Sequence, residues 1–290
     1  MTAQSSERCP CGSEPTSQEP AARKTSIERC RTCGLLVRTP MPSAQELVRW
    51  YGDGYWGRYR AEQVGSARQN LYTHTLQWLG AHCSRPGVLV DVGCGGGAFL
   101  AACRAAGWQG IGFDPSVAAV AHAQAAGLEA YAQPWPPCSL NDATVDAVTF
   151  MNVLDHLREP FGAIREAWRV LRPGGLLYIR VPNGPFHVRL LALLAPLGLG
   201  SFPVFHLYGF GRTSFLYHLP RLGFVGVTLR TALPSSGDPY GGSFGGKALL
   251  RTLFKAADRG CYWLLNRCGR GANAWGPSIE VLACKVPQDR

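Results

Sequence analysis

The sequence predicts an α/β protein in which an open, doubly wound and mainly parallel β-sheet has helices on both faces. The main observation is the stretch from Val88 to Leu100, where a short apolar run meets an acidic residue, a glycine cluster and an alanine-rich segment. A short apolar run bounded by glycine is typical of a buried parallel strand, and the residues after it predict a tight turn into a helix. The same alternation continues to Val181, as expected for consecutive βα units.

The remaining elements follow from the same patterns. Ser43 with Glu46 three residues later has capping-box spacing, which predicts a helix start. Further strands are expected at Leu35–Pro42, Gly110–Phe113, Leu128–Tyr131, Val145–Met151, Leu176–Val181, Gly223–Leu229 and Ile279–Val286. Helices are expected at Ser43–Trp50, Ala67–His82, Ala98–Ala106, Ser116–Ala126, Pro160–Leu171, Thr213–Leu222 and, as an amphipathic pair, within Lys247–Cys268.

Composition narrows the class of protein. The 290 residues are 46% hydrophobic and include 11 cysteines. The polar N-terminal stretch does not resemble a signal peptide, and the longest apolar run, Leu190–Phe205, is interrupted by Pro196 and Pro203 and is too short to span a membrane. An odd number of cysteines without an export signal favours free thiols and metal ligands over disulfides. We therefore expect a cytoplasmic protein.

The formal net charge of +10 is compatible with a nucleic acid, an acidic membrane surface or an anionic small substrate as partner. The arginines are spread along the chain and form no basic run interleaved with aromatic residues. This distribution favours a solvated basic surface and makes a nucleic-acid partner the less favoured interpretation.

Four cysteines near the N-terminus form two pairs, Cys9 with Cys11 and Cys30 with Cys33, and a glycine follows each pair. Four thiolates in two such knuckles can hold a structural Zn²⁺ in a segment too small to have its own core. The first pair has C-x-C spacing, one residue shorter than the usual C-x-x-C. Free cysteines without metal are the alternative.

The glycine cluster predicts a cofactor site. Gly93-x-Gly95-x-x-Ala98 is compatible with a dinucleotide-binding turn. However, Asp91 would repel a pyrophosphate, whereas it could hold the ammonium group of S-adenosylmethionine (SAM). Asp114, at the end of the next strand, is placed to bind ribose hydroxyls, which NAD and SAM both carry. Asp91 therefore favours SAM over NAD.

Four motifs resemble those of class I SAM-dependent methyltransferases, in the same order: Asp91–Gly97, Gly112–Ser116, Asn152–Leu157 and Arg169–Gly175. The resemblance implies a Rossmann-like, seven-stranded sheet whose final strand is antiparallel. It also implies a set of cofactor-binding residues, namely Asp91, Gly93, Gly95, Gly97, Asp114, Pro115, Gln133 and Asn152. Trp135, beside Gln133, is a candidate to stack on the adenine.

The resemblance implies transfer of a methyl group to a small molecule. The cysteine segment is similar to that of deoxysugar C-methyltransferases, so the acceptor could be a secondary or envelope metabolite, anionic or apolar, with a sugar as one candidate. The N-P-P-[YF] motif of amino-methylating enzymes is absent after the fourth strand, where the sequence is Asn152–Asp155, which favours an O or C acceptor. An RNA methyltransferase, a SAM-binding protein without transferase activity and an NAD(P) enzyme are the alternatives.

The candidate catalytic residues are His156, just after the fourth strand, and His206 and Tyr208 farther along the chain. Methyl transfer to oxygen or carbon requires removal of a proton, and histidine can accept one near neutral pH. The aromatic stretch Tyr51–Tyr59 is either a lid over the cofactor or ordinary core packing, and it is too glycine-rich to predict a helix.

We expect four parts: a cysteine-rich, zinc-ribbon-like segment at 1–45, a helical lid and linker at 46–84, the SAM-binding core at 85–182, and a substrate-covering insertion with extra helices and the last strands at 183–290. Within the fourth part, the apolar stretch 186–205 either covers the substrate or contacts a membrane surface. Its proline and glycine content argues against a regular amphipathic helix there.

Overall fold

The computed structural model describes residues 9–13, 15–19, 26–52, 54–57, 60, 68–194, 196, 207–234, 256, 259–260, 262–264, 267 and 275–287. Its main sheet has seven strands in the order β10-β11-β8-β7-β4-β5-β6. Their bounds are β4 Val88–Val92, β5 Gln109–Asp114, β6 Glu129–Ala132, β7 Val145–Met151, β8 Leu171–Pro182, β10 Phe224–Thr231 and β11 Ser278–Lys285.

The directions of the strands place five carboxyl ends at one edge of the main sheet. Strands β4 to β8 pair in parallel, whereas β11 is antiparallel to both β8 and β10. The predicted Rossmann-like, seven-stranded sheet with an antiparallel final strand is therefore confirmed. All five parallel strands end at the same edge, called the carboxyl edge below, which is where open α/β sheets bind their ligands.

Seven helices are described in chain order, and most begin and end within two residues of the predicted positions. They are α1 Ala44–Tyr51, α2 Gln69–Gly80, α3 Ala98–Ala105, α4 Val117–Ala125, α5 Pro160–Val170, α6 Gly184–Leu194 and α7 Arg212–Arg221. Ser43 caps α1 as predicted, because its Oγ accepts from the Glu46 amide at 3.3 Å while the Glu46 carboxylate accepts from the Ser43 amide at 2.8 Å. No helix among these described residues is long and apolar enough to cross a bilayer.

The N-terminal region forms a second sheet of four strands, β1 Pro15–Glu19, β2 Ser26–Cys30, β3 Leu36–Thr39 and β9 Tyr208–Gly209. Its fourth strand, β9, comes from the region after the main parallel strands and pairs antiparallel with β3. Leu35 and Val37 share one hydrophobic core with Phe210 and Phe215. The cysteine-rich segment is thus built into the larger domain through a continuous core.

Two predictions about helices are wrong. The stretch after β8 forms the regular helix α6, because Val188 and Leu191 lie on one face and pack against Ile27 and Leu36 of the N-terminal sheet. Residues 54–57 are also helical despite their two glycines, since burial of Trp56 at 7% exposure holds this turn against the core. For residues 54–57 tertiary packing outweighs local propensity, whereas the leucine-rich sequence of α6 itself favours a helix.

Strand β8 begins five residues earlier than the predicted Leu176. Leu171 pairs with Val145, and a register irregularity between Val145 and Ala147 accommodates the Pro173–Gly175 stretch within the strand. Most of the predicted helical pair within Lys247–Cys268 lies outside the described residues.

Candidate active site at the carboxyl edge

The glycine turn after β4 needs glycine for two separate reasons. Gly93, Gly95 and Gly97 have φ angles of +75°, +51° and +81°, a backbone region that other residues rarely adopt. At Gly96 the reason is space, since a Cβ would lie 2.3 Å from the Trp56 ring. The turn is therefore closely packed, with Gly95, Gly96 and Gly97 buried at the carboxyl edge.

Asp91 lies in β4 and is almost fully buried, with 3% exposure. The Thr149 hydroxyl of β7 donates a hydrogen bond of 2.7 Å to its carboxyl group. Burial raises the pKa of Asp91 to about 7, although the Thr149 hydrogen bond opposes the shift. A cation arriving beside this carboxyl group would favour its ionised form.

Asp114 at the end of β5 is tied to the glycine turn. One carboxylate oxygen accepts from the Gly95 amide at 2.9 Å, and the other accepts from the Ser116 amide at 2.9 Å. Burial nevertheless raises its pKa. Because each carboxylate oxygen has two lone pairs, both oxygens can still accept a hydroxyl hydrogen bond. Pro115 is exposed beside it.

The third and fourth parallel strands end in the two remaining predicted cofactor contacts. Gln133 is half-buried directly after β6. Asn152 directly follows β7 with a φ of +57°. Its backbone amide donates to the Arg180 carbonyl at 2.8 Å, and its side-chain oxygen accepts from the Arg180 guanidinium. The structure thus brings the predicted residues from β4, β5, β6 and β7 to one edge.

The aromatic stretch after α1 covers this edge. The Trp56 ring packs against Gly96 and lies 5.4 Å from the ring of His122, whose Nδ1 is 3.2 Å from the Gly96 carbonyl oxygen. The Tyr51 ring lies edge-on to His156 at 4.9 Å. Trp56 thus packs on the glycine turn and Tyr51 on His156.

His156 lies in a short 3₁₀ helix, Leu154–His156, directly after β7. Its side chain is 14% exposed, and its Nε2 is 3.8 Å from the carboxylate of the buried Asp155. Burial, with a smaller contribution from the charge of Arg68, lowers the pKa of His156 to about 3. The imidazole is therefore neutral near pH 7, and the same burial makes it a weak base in the free protein.

Tyr208 reaches the same segment from β9. Its hydroxyl donates to the Arg158 carbonyl at 2.9 Å. The neighbouring Leu207 amide donates to the Asp155 carbonyl at 2.9 Å. The Arg158 guanidinium in turn donates to the Pro42 carbonyl at 2.7 Å. These hydrogen bonds from β9 and from the stretch after β3 hold the segment that contains His156. His206 lies outside the described residues.

Trp135 is part of the core instead of facing a cofactor. Its indole is 6% exposed, packs 5.3 Å from the Phe113 ring, and donates from Nε1 to the Ala163 carbonyl at 3.0 Å. The expected stacking of Trp135 on adenine is therefore inconsistent with its position.

The four N-terminal cysteines converge. Their sulfur atoms lie within 4.8 Å of one another, and the Cys9–Cys33 and Cys11–Cys30 pairs are each 3.5 Å apart. Four sulfurs around Zn²⁺ at 2.3 Å would be separated by about 3.8 Å, so the cluster fits a tetrahedral ion despite the short C-x-C knuckle. The Cys9 thiol stabilises the Cys33 thiolate by a hydrogen bond, which lowers the pKa of Cys33 and raises that of Cys9.

Sequence reasoning missed Thr149 and Arg180, the two side chains that hold Asp91 and Asn152. Both are buried polar residues flanked by apolar residues in their strands. A polar side chain in a buried strand needs a hydrogen-bond partner. The polar character of these two positions was therefore the signal in the sequence that they hold other side chains.

The protein family and the curated proteins that this chain resembles are methyltransferases. A family described as a methyltransferase domain matches residues 64–224. The ubiquinone biosynthesis O-methyltransferase of Methylococcus capsulatus is 32% identical over 127 residues, which are 41% of this chain and 54% of that protein. A probable SAM-dependent methyltransferase of Mycobacterium tuberculosis is 31% identical over 151 residues, 47% of this chain and 50% of the relative. The chain spans about half the length of the curated relatives it matches.

The fold is also that of solved methyltransferases. The magnesium protoporphyrin IX methyltransferase of Synechocystis, crystallised with S-adenosylhomocysteine, superimposes with a TM-score of 0.55 at 16% identity, covering 83% of this chain and 98% of that one. The family match covers more than half of the chain. Together with the seven-stranded sheet and its glycine turn, this match shows that the chain belongs to the methyltransferase-domain family.

Proposed function

We propose that this protein is a SAM-dependent methyltransferase that binds its cofactor at the carboxyl edge and methylates an oxygen or carbon atom of a small molecule. The observation that carries the proposal is the arrangement of two carboxyl groups, the buried Asp91 and the half-buried Asp114, beside a glycine turn to which Asp114 is hydrogen-bonded. This set suits a molecule that carries an ammonium group and ribose hydroxyls but no phosphate.

In this proposal each predicted residue has one task. Asp91 attracts the ammonium group, Asp114 accepts from the ribose hydroxyls, and the backbone of Gly93, Gly95 and Gly97 lies against the methionine part. Pro115, Gln133 and Asn152 complete the walls of the cofactor site. When bound, SAM supplies a methyl group already activated by its sulfonium.

The protein must then hold the acceptor in line with that methyl group and remove its proton. His156 is the proposed proton acceptor, because it lies in the 3₁₀ helix after β7 and beside the carboxylate of Asp155, which would stabilise its protonated form. Tyr208 is proposed to position His156 through its hydrogen bond to Arg158, and Tyr51 shields the imidazole from water. His206 stays a candidate from the sequence alone.

We also propose that Cys9, Cys11, Cys30 and Cys33 hold a structural Zn²⁺. Four sulfur ligands would leave no open coordination position, so the ion would stabilise the N-terminal sheet and take no part in methyl transfer. The sheet would in turn support the segment that contains His156.

Methyl transfer can be tested by measuring S-adenosylhomocysteine release from SAM with a panel of phenols, enols, carboxylic acids and sugars. The proposal predicts product with an O or C acceptor and a loss of about 100-fold or more in kcat for His156→Gln, with cofactor binding unchanged. Product formed only with RNA would favour the RNA alternative. Cofactor binding without product across the panel would favour a SAM-binding protein without transferase activity.

A further inference from the structure

A cavity of about 470 Å³ opens beside α6 at the carboxyl edge. Asn183, which directly follows β8, lines one side, and Trp275, just before β11, lines another. The carboxyl end of β8 and the start of β11 meet at this edge because the two strands are antiparallel. The cavity therefore lies at the same edge of the sheet as the proposed cofactor site, and its volume is typical of small-molecule sites.

The wall of the cavity is mainly apolar and partly open to water. Phe186, Leu190 and Leu193 of α6 line it together with Trp275. Leu193 is 71% exposed and Trp275 is 61% exposed. The opposite face of α6 is packed against the N-terminal sheet, so the helix is held in place while this face has apolar side chains available for a ligand.

Two arginines stand at this apolar wall. Arg189 lies on α6 and Arg212 is the first residue of α7, and both are exposed. Among the described residues neither guanidinium has an ion pair or a side-chain hydrogen bond, and no acidic residue lines the cavity. Guanidinium groups bind carboxylates and phosphates through paired hydrogen bonds.

We propose that this cavity binds a small amphiphilic anion, with its apolar body against Phe186, Leu190, Leu193 and Trp275 and its carboxylate or phosphate between Arg189 and Arg212. This proposal rests on the proposed function: the bound anion is the methyl acceptor. The two arginines then determine which acceptors the protein selects. A neutral molecule of the same shape would leave both guanidinium groups without a partner and would bind less tightly.

The test uses two fluorescent probes that differ by one anionic group, 8-anilinonaphthalene-1-sulfonate and the neutral N-phenyl-1-naphthylamine. Both are titrated into the 290-residue protein in the presence of saturating S-adenosylhomocysteine. The anionic probe should bind more tightly than the neutral one. The double variant Arg189→Gln with Arg212→Gln should weaken the anionic probe about tenfold or more, the loss expected for charged hydrogen bonds, and leave the neutral probe unchanged.

Two further variants make the result specific to the cavity. Arg165→Gln removes an exposed arginine of α5, which does not line the cavity, and should bind both probes as the wild type does. Leu193→Ser alters an exposed position of the cavity wall and should weaken both probes. Competition by decanoate and by decyl phosphate, but not by decanol, would support the proposal and show whether a carboxylate or a phosphate is preferred.

Equal affinity for the two probes, or an anionic preference that survives in the double variant, would overturn the proposal. In a parallel titration without S-adenosylhomocysteine, clearly tighter probe binding would also overturn it, because the probe would then occupy the cofactor site. The proposed function fails separately, if S-adenosylhomocysteine itself does not bind.

Discussion

At the scale of single residues, the site is controlled by carboxyl groups whose ionisation depends on burial. Asp91 has only the Thr149 hydroxyl as a described hydrogen-bond donor, so its negative charge is poorly compensated in the free protein. Asp114 has two amide donors and can remain ionised more easily. The two acids therefore suit different parts of a ligand, since a poorly compensated carboxylate gains most from a cation.

The pH dependence of cofactor binding follows from this difference. Because burial raises the pKa of Asp91 to about 7, the group is protonated below pH 7 and must lose that proton to bind an ammonium group. Affinity for S-adenosylhomocysteine should therefore fall about tenfold per pH unit below 7 and level off above it. Calorimetric titrations from pH 5.5 to 8.5 measure this directly.

Asp91→Asn should bind more weakly at pH 8 and lose the pH dependence, whereas Asp114→Asn should weaken binding but keep the slope. Burial raises the folded-state pKa of Asp91 to about 7, above the ordinary aspartate pKa of about 3.9, so ionising this group removes stability as pH rises from about 4 to about 7. Asp91→Asn should accordingly be at least as stable as the wild type at pH 8 in thermal unfolding. An unchanged slope in Asp91→Asn would refute the assignment of the ammonium group to Asp91.

At the scale of structural elements, the β4–α3 turn is specified by glycines that cannot be exchanged. Gly97 has a φ of +81°, and an added Cβ would lie 2.7 Å from Leu128 and 2.8 Å from Ala123. Gly107, after α3, has a φ of +83°, but the nearest atom to its Cβ would be 3.7 Å away. The two positions share the backbone conformation and differ in packing.

Gly97→Ala should therefore lower the free energy of unfolding by about 2–4 kcal/mol, the sum of backbone strain and overpacking, and weaken S-adenosylhomocysteine binding. Gly107→Ala should cost about 1 kcal/mol from backbone strain alone and leave binding unchanged. Urea unfolding and calorimetry of both variants give the comparison. Equal effects of the two substitutions on binding would mean that the turn after β4 does not contact the cofactor.

The βα elements could be predicted closely because each has a local signal, such as the apolar run of β4 or the Ser43 cap of α1. Helix α6 could not be predicted, since its sequence is rich in leucine on several sides and only contact with Ile27 and Leu36 selects its buried face. The roles of Thr149 and Arg180 depend on pairing between strands, which a single strand pattern does not contain.

At the scale of the whole molecule, the cysteine-rich segment and the methyltransferase fold share a core. Strand β9 joins β3 although about 170 residues separate them in the sequence, and such a two-residue strand leaves no pattern to read. Cys33 and Leu35 pack in the same cluster as Phe161 of α5 and Phe215 of α7. Loss of the cysteine cluster should therefore affect the stability of the entire fold.

Cys33→Ser should abolish binding of one Zn²⁺ per chain and lower the melting temperature by about 10 °C, because metal binding contributes several kcal/mol to folding. Unfolding should remain a single transition in calorimetry, since the core is continuous. Cys83→Ser, a half-buried cysteine outside the cluster, should keep the metal by elemental analysis. A separate low-temperature transition for the N-terminal sheet would contradict the shared core.

The central claim is that the carboxyl edge binds SAM, and the most direct test is calorimetric titration with S-adenosylhomocysteine of the wild type and Asp114→Ala. We predict micromolar binding at pH 8 to the wild type, weakened by about 1–3 kcal/mol in the variant, the loss expected for hydrogen bonds to a charged group. SAM should compete for the site and NAD should not. Absence of heat with S-adenosylhomocysteine, or competition by NAD alone, would contradict the claim.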